Sequence, residues 1–155
     1  MNPHFEYCSP VWSAASNANY DKLFKLQKRG LRMINNVAWD TPSIDLFAQV
    51  TVLPLSEMFL ANDCKMVFKC LNDMVPNYLC RCFNHFNNTI NTRQHSNNTL
   101  ILPQCKTTLF NKSFVPRATK IWNMLDQDLK RCTTFMTFKS KLNNNHILPN
   151  LLDQI

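Results

Sequence analysis

The stretch NYDKLFKLQKRGLRMINN, residues 19–36, is the most regular segment of the chain. Turned through about 100° per residue, it places Tyr20, Leu23, Phe24, Leu26, Gly30, Leu31, Met33 and Ile34 on one half of a cylinder, with Gln27 among them. Lys22, Lys25, Lys28, Arg29 and Arg32 occupy the other half. This division predicts an amphipathic helix with an apolar face and a cationic one. Asn19 is the expected N-cap, and Asp21 lies in the first turn, where the helix dipole favours an acid. Asn35 and Asn36 end the helix, because Asn tolerates the left-handed backbone that helix ends require.

Outward from this helix the helical signals continue. Pro42 opens a short helix through Ile44, Leu46 and Phe47 to about Val50, and Pro54 marks the next start. From Ser56 to Met74 the residues Leu60, Cys64, Val67, Leu71 and Met74 recur at intervals of four and three, flanked by Phe59, Phe68 and Cys70. That spacing predicts a largely buried helix, ended by Asn72-Asp73. Pro76-Asn77-Tyr78-Leu79 begins a further short helix reaching about Phe83. Residues 84–99 are a polar, Asn-rich loop whose one charge is Arg93.

Beyond the loop, Leu100-Ile101-Leu102 and Thr107-Thr108-Leu109-Phe110 flank Pro103-Gln104-Cys105-Lys106 and are expected to pair as a small hairpin. Ser113 is expected to cap a helix with Pro116 in its first turn and Phe114, Ala118, Ile121, Trp122 and Leu125 on one face. A last helix from about Thr134 buries Phe135, Phe138 and Leu142. The expected fold is mainly α, with five or six helices around one core and at most one short β-hairpin, in a single helical domain over residues 1–155.

Composition narrows the function classes. The chain has 155 residues and a single Gly, Gly30, so no phosphate-cradling loop, dinucleotide fingerprint or nucleophile elbow can be written in it. Twenty Asn residues partly replace Gly at turns and helix ends. No stretch approaches the roughly 20 apolar residues that span a bilayer, and no basic segment followed by an apolar one opens the chain. An intracellular protein, cytoplasmic or nuclear, is therefore expected, with its seven Cys as reduced thiols. The net charge of +7 suits a polyanionic partner.

The cationic face of the 19–36 helix is the leading candidate site, because Lys and Arg supply the sequence-independent part of nucleic-acid affinity. Five phosphate contacts at roughly 0.9 each would give a log-affinity against log-salt slope near −4.5. Lys112, Arg117 and Lys120, with Lys130 and Arg131, form a second and weaker basic set that is expected to line the same groove. Cys80-x-Cys82-x-x-His85, with His95 or Cys105, invites a zinc reading, but Cys-x-Cys is outside the usual ligand gap and no metal is expected. Cys64 and Cys70 lie in an apolar helix, where thiols are inert packing. His4, His85, His95 and His146 have no orienting acid at recognisable spacing. Trp12 and Trp122 are expected in the core rather than stacked on bases.

Several phrases also form an ordered set. Pro3-His4-Phe5-Glu6-Tyr7-Cys8-Ser9-Pro10-Val11-Trp12 is followed by Leu23-Phe24-Lys25-Leu26-Gln27-Lys28-Arg29, by Pro42-Ser43 with Leu46-Phe47, and by Leu53-Pro54-Leu55. Then come Phe68-Lys69-Cys70-Leu71-Asn72, Pro76-Asn77-Tyr78-Leu79, Ser113-Phe114 with Pro116-Arg117, Trp122-Asn123 with Leu125, and Phe138-Lys139 with Leu142. In order and spacing, over about residues 3–142, the set resembles the segment just after the catalytic palm in non-LTR retrotransposon reverse transcriptases of animals. Gly30 stands where that family commonly has Ala, and Asp126 follows Leu125 where Pro is usual.

The chain has no aromatic-x-Asp-Asp box, and no two acids are adjacent in it. Nucleotidyl transfer in the family needs palm carboxylates that hold two metal ions about 3.5–4 Å apart. The resemblance therefore implies a catalytically incomplete fragment of an RNA-directed DNA polymerase, the thumb and C-terminal region that grips template–primer nucleic acid. It implies no enzyme activity, catalytic residue, metal, cofactor, small-molecule substrate or membrane. The expected partners are RNA or an RNA–DNA hybrid in the parent enzyme. The apolar cluster of Phe5, Tyr7, Val11 and Trp12 would meet a missing palm domain or another protein, and is expected to be partly exposed and poorly ordered. The rival readings are a domesticated helical protein-interaction module and a relic open reading frame without selected function.

Overall fold

The computed structural model describes residues 2–50, 52–84 and 98–144. The protein is mainly α. Among the described residues it has ten helices and no strands: α1 (Asn2–Glu6), α2 (Ser9–Trp12), α3 (Asn17–Asn35), α4 (Ser43–Val50), α5 (Leu55–Leu71), α6 (Asn77–Cys80), α7 (Thr108–Lys112), α8 (Phe114–Met124), α9 (Gln127–Lys130) and α10 (Phe135–Asn144). Five of them run eight residues or more, namely α3, α4, α5, α8 and α10. These match five of the six helices expected from the sequence, and the short α6 falls where the sixth was expected to begin. The other five are single turns, too short to show a period. Contacts gather the chain into two compact units whose boundary falls between Phe59 and Leu60, inside α5.

In the first unit, Phe5, Leu55, Met58 and Phe59 are buried together, with Trp12, Tyr20, Leu23, Phe24 and Leu53 packed against them. The aromatic rings set the arrangement: Trp12 meets Phe59 edge-on at 5.9 Å, Tyr20 meets Phe59 at 6.4 Å, and Phe24 stacks on Phe47 of α4 at 6.1 Å. Gln27, on the apolar face of α3, is buried and donates from Nε2 to the Leu53 carbonyl at 2.9 Å. The crowded N-terminus divides. Phe5 is buried, and Trp12 is half-buried and donates from Nε1 to the Tyr7 carbonyl at 2.7 Å, while Tyr7 and Val11 are 77% and 74% exposed.

In the second unit Phe68 stacks on Phe138 at 4.5 Å, Trp122 lies 6.0 Å from Phe138, and Val67, Ile121, Leu129 and Leu142 are buried. The hairpin expected at 100–110 does not form. Thr107 instead caps α7, its hydroxyl accepting from the Phe110 N–H at 3.2 Å, so residues 108–112 turn into a helix. On the other limb the Asn123 side chain takes the place of a strand: the Leu100 N–H donates to its Oδ1 at 2.8 Å, and its Nδ2 donates back to the Leu100 carbonyl at 2.9 Å. One primary amide thus pairs both backbone groups of Leu100, which is buried. Of the Asn-rich loop expected at 84–99, residues 85–97 lie outside the described residues.

Candidate nucleic-acid interface

α3 begins two residues before the expected Asn19 cap, with Ser16 in the cap position, and ends as expected at Asn36, which adopts the left-handed conformation at φ 51°. The Asn36 N–H reaches back to the Arg32 and Met33 carbonyls, and the Val37 N–H bonds the Arg32 carbonyl at 3.1 Å. These bonds close the helix into a tight turn that leads to Trp39 and Thr41.

The five cations of α3 do not have equal freedom. Lys22, Lys25 and Arg29 are exposed, and no hydrogen bond or ion pair among the described residues engages their charged ends. Lys28 is half-buried, with Nζ 4.1 Å from the centre of the Phe24 ring. Arg32 is also half-buried, and its Nε and Nη2 both donate to the Thr41 carbonyl, at 3.1 and 3.0 Å. Among the described residues no carboxylate pairs with any of the five. The free set is thus a stripe of three cations one helical turn apart, at positions 22, 25 and 29. The apolar face is less covered than its pattern suggests: Gly30 and Leu31 are buried, while Leu26, Met33 and Ile34 are exposed.

The second basic set lies in the other unit and divides differently. Arg117 donates from Nε to Asp63 Oδ2 at 2.8 Å, from Nη2 to Asp63 Oδ1 at 3.3 Å and from Nη1 to the Lys112 carbonyl at 3.0 Å. A guanidinium occupied on three nitrogens in this way holds the fold and is a poor phosphate ligand. Arg117 therefore leaves the candidate set. Lys120 donates from Nζ to Asn111 Oδ1 at 2.8 Å. Lys130 is buried and donates to the Asn123 carbonyl at 2.9 Å; burial lowers its pKa, with Asp126 opposing the shift. Lys112 and Arg131 are exposed.

The remaining chemical candidates are placed as follows. All seven cysteines are free. Burial pushes the Cys64 thiol far up and holds the Cys70 thiol up to about 11, with Cys80 and Cys82 adding to the second shift. Neither thiol is a nucleophile at neutral pH. Cys80 and Cys82 donate to the Val75 and Tyr78 carbonyls at 3.5 and 3.4 Å. Among the described residues no three of His, Cys, Asp and Glu are grouped to hold a metal ion, and His85, His95 and His146 lie outside those residues. Trp122 is buried in the second unit and Trp12 is packed on Phe59. Among the described residues no single helix is long and apolar enough to cross a membrane.

One residue was missed from the sequence. Trp39 is 85% exposed, the most exposed of the large apolar side chains among the described residues. It lines an open cleft of about 560 Å³ with Arg29, Arg32, Met33, Asn36 and Val37. Its signal was negative: a Trp between a helix end and Pro42, belonging to no apolar stripe. Compared with protein-family models, with curated proteins and with solved structures, the chain gives no match in any of the three.

Proposed function

We propose that this chain is a nucleic-acid-gripping helical module of the kind that follows the palm in non-LTR retrotransposon reverse transcriptases, with α3 as its gripping element. One observation carries the reading: Lys22, Lys25 and Arg29 project from one helix with no carboxylate partner among the described residues. Like charges held together without counter-charges repel one another and are relieved by a polyanion. The net charge of +7 supports the same partner class. The ordered phrases that resemble the post-palm segment supply the parent, and RNA or an RNA–DNA hybrid as its ligand.

Polymerisation is not part of the proposal for these residues, since the chain carries no adjacent acids to hold paired metal ions. The candidate contacts are Lys22, Lys25 and Arg29, with Lys120 in the second unit as a weaker one. The deciding experiment is a salt titration of binding to an RNA–DNA hybrid. Affinity that falls steeply with salt supports the reading, and absence of binding at low salt overturns it.

A second reading, as a protein-interaction module, draws on Tyr7 and Val11, two large apolar side chains of the N-terminal segment that remain largely exposed. It expects no hybrid binding and a partner that shields Tyr7. The flanking genomic sequence separates both readings from a relic frame, since an upstream palm, intact or in ruins, would identify the parent element.

A further inference from the structure

Resting on the reading of α3 as a nucleic-acid helix, we propose that Trp39 is a stacking platform for an unpaired base, with Arg29 beside it for the adjoining phosphate. The cleft walls are Met33 and Val37, apolar and exposed, with Trp39 as the aromatic side and Arg29 and Arg32 as the cationic one. An indole buries 150–250 Å² when covered, so a Trp left 85% exposed forgoes much of its favourable burial unless a partner covers it. The turn that presents it is tied down at both ends. Arg32 clamps the Thr41 carbonyl with two donors, and the Thr41 N–H bonds the Ala38 carbonyl at 3.2 Å. Trp39 is therefore held out on a braced turn, and Arg32 is its positioning residue.

Charge decides what would cover it. From Lys22 to Trp39 the sequence contains no acid, and Lys22, Lys25 and Arg29 lead along α3 to the cleft. A helix rise of about 1.5 Å per residue puts the three cations over about 10 Å, a track that ends at the indole. Cations along a strand's phosphates with an aromatic face for its bases is the arrangement that binds single-stranded nucleic acid without sequence preference, because every base offers a π-face. A duplex keeps its bases stacked on one another and would use the cations alone. Arg32 is engaged with the Thr41 carbonyl, which leaves the exposed Arg29 as the phosphate contact.

The test uses the full chain and two labelled probes, an oligothymidylate of about a dozen nucleotides and a duplex of the same length, read by fluorescence anisotropy. Trp39→Ala is expected to weaken single-strand binding by about 5- to 100-fold, with the salt slope and duplex affinity of the wild type. Trp39→Phe should recover most of the loss. Oligothymidylate should quench the indole emission of the wild type and leave that of Trp39→Ala unchanged. Trp39→Ala that holds the single strand as tightly as the wild type overturns the stacking platform and leaves the α3 reading intact. Equal loss on both probes overturns it too. A wild type that binds neither probe at low salt overturns the α3 reading and the platform together.

Discussion

The Asp63 side chain is 1% exposed and receives two hydrogen bonds from Arg117, whose own side chain is 18% exposed. Burial pushes the carboxyl up from 3.8 to about 6, and the guanidinium, by hydrogen bond and charge, opposes that without overcoming it. The sign of the pH dependence follows. The folded state binds the proton more tightly than the unfolded chain, so the contribution of this group is fully present below about pH 3.8, is lost as pH rises through 6, and is constant above. Relative to Asp63→Asn, the wild type should therefore lose about 2.4 kcal/mol of stability between pH 4 and pH 7, at about 1.36 kcal/mol per unit. Urea unfolding at a series of pH values measures it, and a gain with rising pH would mean that the ion pair outweighs the desolvation. Arg117→Met leaves the carboxylate buried without its partner and should cost about 3–5 kcal/mol at pH 7 and less in acid. The sequence hid this pair because its members are 54 residues apart and each looked ordinary. Arg117 looked like a phosphate ligand for the same reason: charge is visible in a sequence, and its partner is not.

At the scale of elements, the legible parts were those with a repeat. α3, α5 and α8 carry apolar residues at intervals of three and four, and they appear within a few residues of their expected bounds. The segment 100–112 carries two short apolar runs around a turn, a pattern that a hairpin and a capped helix share. What decided it lies 23 residues away, in the Asn123 amide that pairs both backbone groups of Leu100. Asn123→Ala leaves a buried N–H and C=O unpaired and should destabilise by about 1–3 kcal/mol. Asn123→Asp keeps the acceptor for the Leu100 N–H but sets a carboxylate against its carbonyl, and should cost at least as much. Chemical denaturation compares the two, and a neutral Asn123→Ala would show that the amide is dispensable. Trp39 escaped notice for the converse reason: it lies in a turn, where periodicity has nothing to say, and only its exposure singles it out.

For the whole molecule the charge excess is +7, but the structure sorts its cations by the company they keep. Arg117 and Lys130 are held by Asp63 and by the Asn123 carbonyl, Lys28 lies on a ring, and Arg32 braces a turn. Arg117, Lys130 and Arg32 cannot move to a phosphate without breaking hydrogen bonds that hold the fold, and Lys28 would have to leave its ring. Lys22, Lys25 and Arg29 carry no such obligation, so the cationic face of α3 counts for three phosphates rather than five. Each contact releases about 0.9 counterion from a duplex, which makes the share of α3 in the log–log salt slope about −2.7. Replacing Lys22, Lys25 and Arg29 together by Ala should therefore flatten the slope on an RNA–DNA hybrid by about 2.7, and Lys28→Ala should leave it unchanged. The slope discriminates where affinity alone does not, because a variant that merely loosened the fold would weaken binding at every salt concentration without changing the number of ions released. If the triple variant keeps the wild-type slope, the strand is held elsewhere on the molecule and α3 is an ordinary solvated helix.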